Sequence, residues 1–429
     1  MELGIINGLV YLEGQFREEN IYIKNGRIEA VTKSYLPCEE EFDAEGARIL
    51  PGFIDPHVHF HLKVGKNTSK DDFYTGSVLG ALGGVTTYID FLDPIQSSAE
   101  FEKAFRERME LAAFSATDYS FHTTIAAPKE DAANLLKAGL KAGLPSLKLF
   151  TTYSDTDRRT YDRDIDRLLQ VSSELKGRIV IHAENDTLID TRKEILVKDH
   201  EKSRPVLSER TEILNLAEMA KEREGQLYIV HVSAGSSVKL LAQNYQEELK
   251  KGRVLLESCP HYFFFHSGYY EKEDGYLYTM TPPLREEKEM LLLREQVDNI
   301  TAIGTDHCPF DNTLKREKYT SQIPMGIGGI QYSFLTMYEA FGEKIIPKFT
   351  EGPAKAYGLY PRKGTLLPGA DADIVILKGE AEHRIQDVES VYNGNKVKGT
   401  VSQVFLRGEQ IVRNGKFLGG KGRFLRREL

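Results

Sequence analysis

Two histidines one residue apart, His57 and His59, follow the run Pro51-Gly-Phe-Ile-Asp-Pro. Side chains alternate faces along a strand, so the pair points one way, and two imidazoles on one face begin a metal site. The same spacing also describes a polar patch at a sheet edge, so further ligands must decide. Four more donors stand in comparable places. Lys148 lies inside Pro-Ser-Leu-Lys-Leu-Phe, His182 ends Ile-Val-Ile-His, His231 ends Tyr-Ile-Val-His, and Asp306 follows Ile-Gly-Thr. A strand-end histidine is often a hydrogen-bonded core residue, and an aspartate after Gly-Thr is often a cap or turn former. Lys148 resists such a reading, because an apolar strand disfavours its ammonium form.

These residues need elements to position them. Apolar strand-like runs recur at 85–91, 119–125, 146–150, 179–182, 227–232, 254–257 and 300–304. Most gaps between them carry helical periodicity, as in Thr211-Glu-Ile-Leu-Asn-Leu-Ala-Glu-Met-Ala-Lys. With the strand before His57 this makes about eight βα units, the count of a (β/α)8 barrel, whose functional groups sit at the C-terminal strand ends. No Gly-x-Gly-x-x-Gly turn supports an open doubly wound sheet. The two ends of the chain are β-rich. Asn25-Gly26 supplies the positive φ angles of a hairpin turn, and Gly408 and Asn414-Gly415 mark further turns. The expected fold is therefore α/β: a (β/α)8 barrel over 52–352, with a small β-sandwich domain from 1–51 plus 353–429.

Composition narrows the function classes. The chain has 429 residues, a formal net charge of −8 and 28% charged residues. With no long basic block, nucleic acid and anionic membrane are poor partners. Three scattered cysteines, Cys38, Cys259 and Cys308, fit a reducing compartment without a disulfide framework. No signal peptide or membrane span is evident. The expectation is a cytoplasmic protein acting on a small molecule.

The motifs together resemble the amidohydrolase superfamily, in its cyclic-amidase branch of hydantoinases, dihydropyrimidinases, allantoinases and dihydroorotases. They run nearly end to end: Gly52-Phe-Ile-Asp-Pro-His-Val-His, Gly83-Gly-Val-Thr-Thr, His182-Ala-Glu-Asn, His231-Val-Ser, Glu257-Ser-Cys-Pro-His, Thr281-Pro-Pro-Leu-Arg, Gly304-Thr-Asp-His-Cys-Pro-Phe and Gly369-Ala-Asp-Ala-Asp. The resemblance implies the barrel with its β-sandwich and a binuclear site, most often zinc. His57, His59 and Asp306 would hold one ion and His182 and His231 the other. Lys148, carboxylated by CO2, would bridge both. A hydroxide shared by the metals would attack the amide, with Asp306 moving the proton. The resemblance also implies a homodimer or homotetramer. The basic stretch Lys421-Gly-Arg-Phe-Leu-Arg-Arg is expected to reach a neighbouring copy.

Substrate loops divide the branch. Dihydroorotases place an arginine two residues after the second metal histidine, where a guanidinium holds the substrate carboxylate. Here that position is His61, a candidate pocket residue. Allantoinase-like sequences have asparagine there. Asp71-Asp-Phe-Tyr-Thr-Gly-Ser and Thr87-Tyr-Ile-Asp-Phe instead resemble hydantoinases and dihydropyrimidinases. By that resemblance Tyr153 would donate to the developing oxyanion. Thr281 and Met325 would meet the ring amide through backbone atoms, with Met325 replacing the usual asparagine. The expected activity is hydrolysis of a cyclic diamide, a hydantoin or dihydropyrimidine. Dihydroorotase, allantoinase and a non-catalytic scaffold are the alternatives.

Overall fold

The computed structural model describes all of residues 1–429. The N-terminal strands are β1 (Leu3–Leu12), β2 (Gln15–Lys24), β3 (Arg27–Thr32), β4 (Glu40–Asp43) and β5 (Arg48–Pro51). The barrel strand β6 (Phe53–Asp55) follows, then a two-stranded rim of β7 (Lys63–Val64) and β8 (Asn67–Thr68). The remaining barrel strands are β9 (Val85–Phe91), β10 (Asp118–Thr124), β11 (Ser146–Phe150), β12 (Arg178–His182), β13 (Leu227–Ile229), β14 (Val254–Ser258) and β15 (Ala302–Ile303). β16 (Ile374–Arg384), β17 (Lys396–Leu406), β18 (Glu409–Arg413) and β19 (Lys416–Phe417) complete the chain's strands.

The eight barrel strands run in the order β6-β9-β10-β11-β12-β13-β14-β15, all pairs parallel. A parallel bridge between Val58 and His307 joins the two ends just beyond β6 and β15. Asp55 reinforces this closure. Its carboxylate accepts from Thr305 N (3.1 Å), Thr305 Oγ1 (2.5 Å) and His57 N (3.1 Å). It thus ties the segment bearing His57 to the one bearing Asp306. The fold is the expected α/β barrel with a separate sheet built from both termini. That sheet runs β19-β18-β17-β16-β5-β1-β2-β3, with β4 alongside β1. It folds over itself, for Phe42 of β4 meets the ring of Phe405 in β17 at 5.8 Å.

Local chemistry explains the elements. Asn25 (φ 52°) and Gly26 (φ 71°) take the left-handed conformation that the β2–β3 hairpin requires. The periodicity around Thr211 falls in the helix Val206–Arg223, which buries Ile213, Leu216, Ala217 and Ala220 at spacings of three and four. Strand-like runs expected over 227–232 and 300–304 are shorter in the structure. β13 stops at Ile229 and β15 at Ile303, and His231 (φ 40°) and Asp306 (φ 50°) just beyond them are left-handed. The chain leaves the ladder where it turns these two side chains into the barrel mouth. No helix is long and apolar enough to cross a membrane.

Barrel and sheet are locked by buried charge. Lys363 Nζ meets Asp118 of β10 at 2.7 Å, Asp373 at 2.6 Å and Asp371 at 3.1 Å, and Arg407 also pairs with Asp118. The Gly369-Ala-Asp-Ala-Asp motif is thus a structural lock. Replacing Lys363 with methionine leaves Asp373 without a cation and takes one from Asp118 and Asp371, which keep Arg407 and Arg362, and removing one partner of such a buried set costs roughly 3–5 kcal/mol. The expected outcome is a matching fall in urea-unfolding free energy; a loss below about 1 kcal/mol, typical of exposed pairs, would refute the lock.

The basic C-terminal stretch packs along its own barrel, with Lys421, Arg423 and Arg426 exposed. Residues 423–427 lie along β10 of their own barrel: Tyr119 N donates to Arg423 O (3.0 Å) and Leu425 N to Tyr119 O (2.7 Å). Arg427 is only 1% exposed.

Candidate metal-dependent active site

The six candidate donors gather at the C-terminal mouth of the barrel, in the wall of a cavity of about 440 Å³. His57 and His59 extend from β6, and Asp306 from β15. The Nε2 atoms of His57 and His59 both reach Asp306 Oδ1, at 3.2 and 3.1 Å. His182, at the end of β12, directs Nδ1 to within 3.0 Å of His231 Nε2. Lys148 rises from β11 with a side chain almost fully buried. These are two groups of lone-pair donors, with an amine on the same cavity wall. His57, His59 and Asp306 satisfy the spacing of a metal-binding cluster.

Electrostatics suits that use. Burial lowers the Lys148 ammonium to about 7, against the opposing pull of Asp306 and Glu257. Burial also lowers His59, and takes His182 down to about 4 and His231 well below its usual value. Neutral imidazoles are the form that ligates metals. Burial pushes the Asp306 carboxyl up, but the imidazoles of His57 and His59 more than reverse this and leave it well below the usual range. Asp306 is therefore a carboxylate.

A supporting layer orients these groups, and sequence reasoning passed over it. Glu257, fully buried on β14, takes His57 Nδ1 at 2.7 Å, and Tyr228 OH donates to its other oxygen at 2.9 Å. Glu184 takes His182 Nε2 at 2.7 Å and is gripped by Arg204, Nε to Oε1 at 3.1 Å. Each carboxylate fixes which ring nitrogen faces the cavity. Gly304 makes room, since a Cβ there would lie 2.8 Å from both His57 Cβ and the Glu257 carboxyl carbon. The signal was available: a glutamate inside an apolar strand, as in Val-Leu-Leu-Glu257-Ser, must have a buried partner. Outer partners of this kind are worth roughly 10–100-fold in metal affinity. Glu257→Gln is expected to weaken metal binding within that range, read by competition with a chelator; unchanged affinity would refute the orienting role.

The substrate-facing residues divide. Tyr153, Thr281 and Met325 line the cavity. Tyr153 sits at φ 70° and its hydroxyl donates to Thr281 Oγ1 at 3.1 Å. Strained left-handed residues cluster at functional sites. The Arg204 guanidinium lies over the Tyr153 ring, 5.1 Å from its centre. His61 does not line the cavity; at φ 50° it turns away, and Leu62, Lys63 and Val64 take that part of the wall. His200, which carried no signal in the sequence, does line it, with Nε2 on Met280 O at 2.8 Å. His307 packs outside, bonded to Asp71 at 2.8 Å.

Comparison with known proteins places this geometry. Residues 48–411 match the model of the amidohydrolase family. The chain is 30% identical to a D-phenylhydantoinase of Escherichia coli O81, covering 100% of this chain and 98% of the relative. It is also 30% identical to a D-hydantoinase of Streptomyces coelicolor, over 97% and 96%. Among solved structures, a dihydropyrimidinase from Brevibacillus agri superimposes with a TM-score of 0.93 at 28% identity, covering 100% of this chain and 99% of that one. The chain belongs to the amidohydrolase family, in its hydantoinase-like branch of cyclic-amide hydrolases.

Proposed function

We propose that this chain hydrolyses the ring amide of an uncharged cyclic diamide, a hydantoin or dihydropyrimidine. The observation that carries this reading is the convergence of six donors in one cavity that also holds the Tyr153–Thr281 pair. The donor set suits two divalent cations, and its imidazoles and carboxylate suit zinc. His57, His59 and Asp306 would hold one ion, and His182 and His231 the other. The Lys148 amine would bond to the carbon of CO2 as one carbon–oxygen π bond opens onto oxygen and one N–H proton leaves. The resulting carbamate would be a further anionic oxygen donor for the ions. Such ions, when bound, lower the pKa of water toward ~7 and polarise an amide carbonyl.

The chain's own groups then have defined tasks. Asp306, held as a carboxylate, accepts the attacking water's proton. It returns that proton to the ring nitrogen as the carbon–nitrogen bond breaks. Tyr153 OH exchanges its bond to Thr281 for one to the oxyanion that develops on the carbonyl. The backbone at Thr281 and Met325 meets the ring amide. The products are a carboxylate and a freed nitrogen on one opened chain.

A panel of hydantoin, 5-substituted hydantoins, dihydrouracil, dihydroorotate and allantoin, with zinc and bicarbonate supplied, tests the substrate. Turnover of the uncharged rings supports the proposal. Lys63 in the cavity wall favours an anionic ring as the second reading. Turnover of dihydroorotate alone would establish that reading and overturn the first. A protein that binds no metal and turns over none of the panel would be a scaffold.

A further inference from the structure

Beneath the metal-site residues, the barrel interior holds a column of polar groups that the chemistry above does not use. Ser120, His122 and Thr124 of β10 share the inward face, as do Ser146 and Lys148 of β11. Register places Thr124 beside Lys148, and His122 is accordingly level with Ser146. Ser146 Oγ meets His122 Nδ1 at 2.7 Å, and His122 Nε2 meets Pro56 O at 3.0 Å. The residue after Pro56 is His57. At the base, Arg427 inserts its guanidinium. Nε donates to Ser120 Oγ (2.8 Å), NH1 to Tyr357 O (3.3 Å), and NH2 to Ser146 Oγ (2.9 Å) and to Phe121 O.

The direction of these bonds follows from one fact: a backbone carbonyl only accepts. His122 Nε2 therefore carries the proton and donates it to Pro56 O. In the neutral ring Nδ1 is then the acceptor, so Ser146 donates its hydroxyl proton to His122 Nδ1 while its Oγ accepts from Arg427. Burial first, and Arg427 second, lower the His122 pKa well below its usual value, which keeps the ring neutral as this chain of bonds requires. The other tautomer would set the Nε2 lone pair against Pro56 O and leave that carbonyl without its donor. Buried networks of this sort hold their members in one arrangement only while every bond is made.

We propose that Arg427 is a positioning residue for the metal site. Through Ser146 and His122 it fixes the backbone before His57 and the strand that carries Lys148. The C-terminal segment is thus part of the catalytic scaffold, acting from the base of the barrel. The inference rests on His57 and Lys148 being metal ligands.

The test compares the full-length, metal-loaded parent with Arg427→Ala and Ser146→Ala. Metal release to a chelator, kcat, KM and thermal midpoint are measured for each. Ser146→Ala keeps every other Arg427 bond, so it remains informative if Arg427→Ala does not fold. Expected are metal release faster by about tenfold in both variants, the lower end for a lost outer partner, and a lower kcat with KM unchanged. Methylguanidinium should restore Arg427→Ala and leave Ser146→Ala unrestored. Variants whose metal release and kcat match the parent, even with a lowered thermal midpoint, would reduce Arg427 to a structural anchor and overturn the inference alone. A parent that takes up no metal would overturn the functional reading and this inference with it.

Discussion

Asp306→Asn is expected to lower kcat by about 10²–10⁴-fold, the usual range for a lost general acid–base, with KM little changed. The argument begins from geometry. Asp306 Oδ1 stands 3.2 Å from His57 Nε2 and 3.1 Å from His59 Nε2, at a left-handed residue three positions beyond the end of β15. Burial alone would favour its neutral acid. The two imidazoles reverse that, so the carboxylate persists through neutral pH. An amide of the same shape keeps an oxygen toward the two histidines but cannot take a proton at that oxygen. In the proposed mechanism the ring is bound by other groups, chiefly the Thr281 and Met325 segments, so the loss belongs in turnover. Metal content measured on the same sample separates loss of the proton acceptor from loss of a ligand. A raised KM with kcat intact would contradict the assigned role.

The barrel was legible because parallel strands buried on both faces read as apolar runs, and the helices between them carry a 3.6-residue period. Lys148 was legible for the same reason, since a charged residue inside an apolar run needs a cause, whereas the other five donors were joined to it by the family resemblance. The rest was hidden by physics that is not local. Glu257 and Glu184 matter through partners far along the chain or turned back on it, at His57 and His182. His61 was assigned to the pocket from its spacing to His59. Alternation holds only inside a strand, and β6 has already ended at Asp55. A positive φ at His61 then breaks the rule that placed it. The region after Pro309 resisted for another reason. Its elements are short, such as Asn312–Lys315, and are held by tertiary bonds: Lys315 Nζ donates to the carbonyls of Leu277, Thr279 and Gly326. No periodicity records such contacts. The C-terminal segment shows the same limit. Nothing local sets Arg427 apart from the exposed Lys421, Arg423 and Arg426, yet it is buried under the site, where Ser120, Ser146 and backbone carbonyls satisfy its donors.

Lys148→Met is expected to abolish turnover and the uptake of two ions, while stabilising the metal-free protein. The two effects share one cause. The amine is buried and its ammonium form is lowered to about 7 from an ordinary 10.5. Below pH 7 both folded and unfolded chains are protonated, and the folded chain bears the full penalty of a desolvated charge. Between about 7 and 10.5 the unfolded chain binds a proton that the folded one lacks, so stability rises with pH. Methionine, of similar length and uncharged, removes the penalty. Metal-free Lys148→Met should therefore melt above the metal-free parent at pH 6, with the gap closing toward pH 10. The same depressed value makes the parent amine reactive toward CO2. Bicarbonate-dependent reactivation of metal-free parent should rise with pH through about 7, where the neutral amine becomes the main form. Native mass spectrometry would show the added mass of one CO2 in the parent and none in the variant. A Lys148→Met protein that holds two ions and retains turnover would remove the lysine from the site. A parent whose reactivation ignores both bicarbonate and pH would leave the lysine a ligand but not a carbamate.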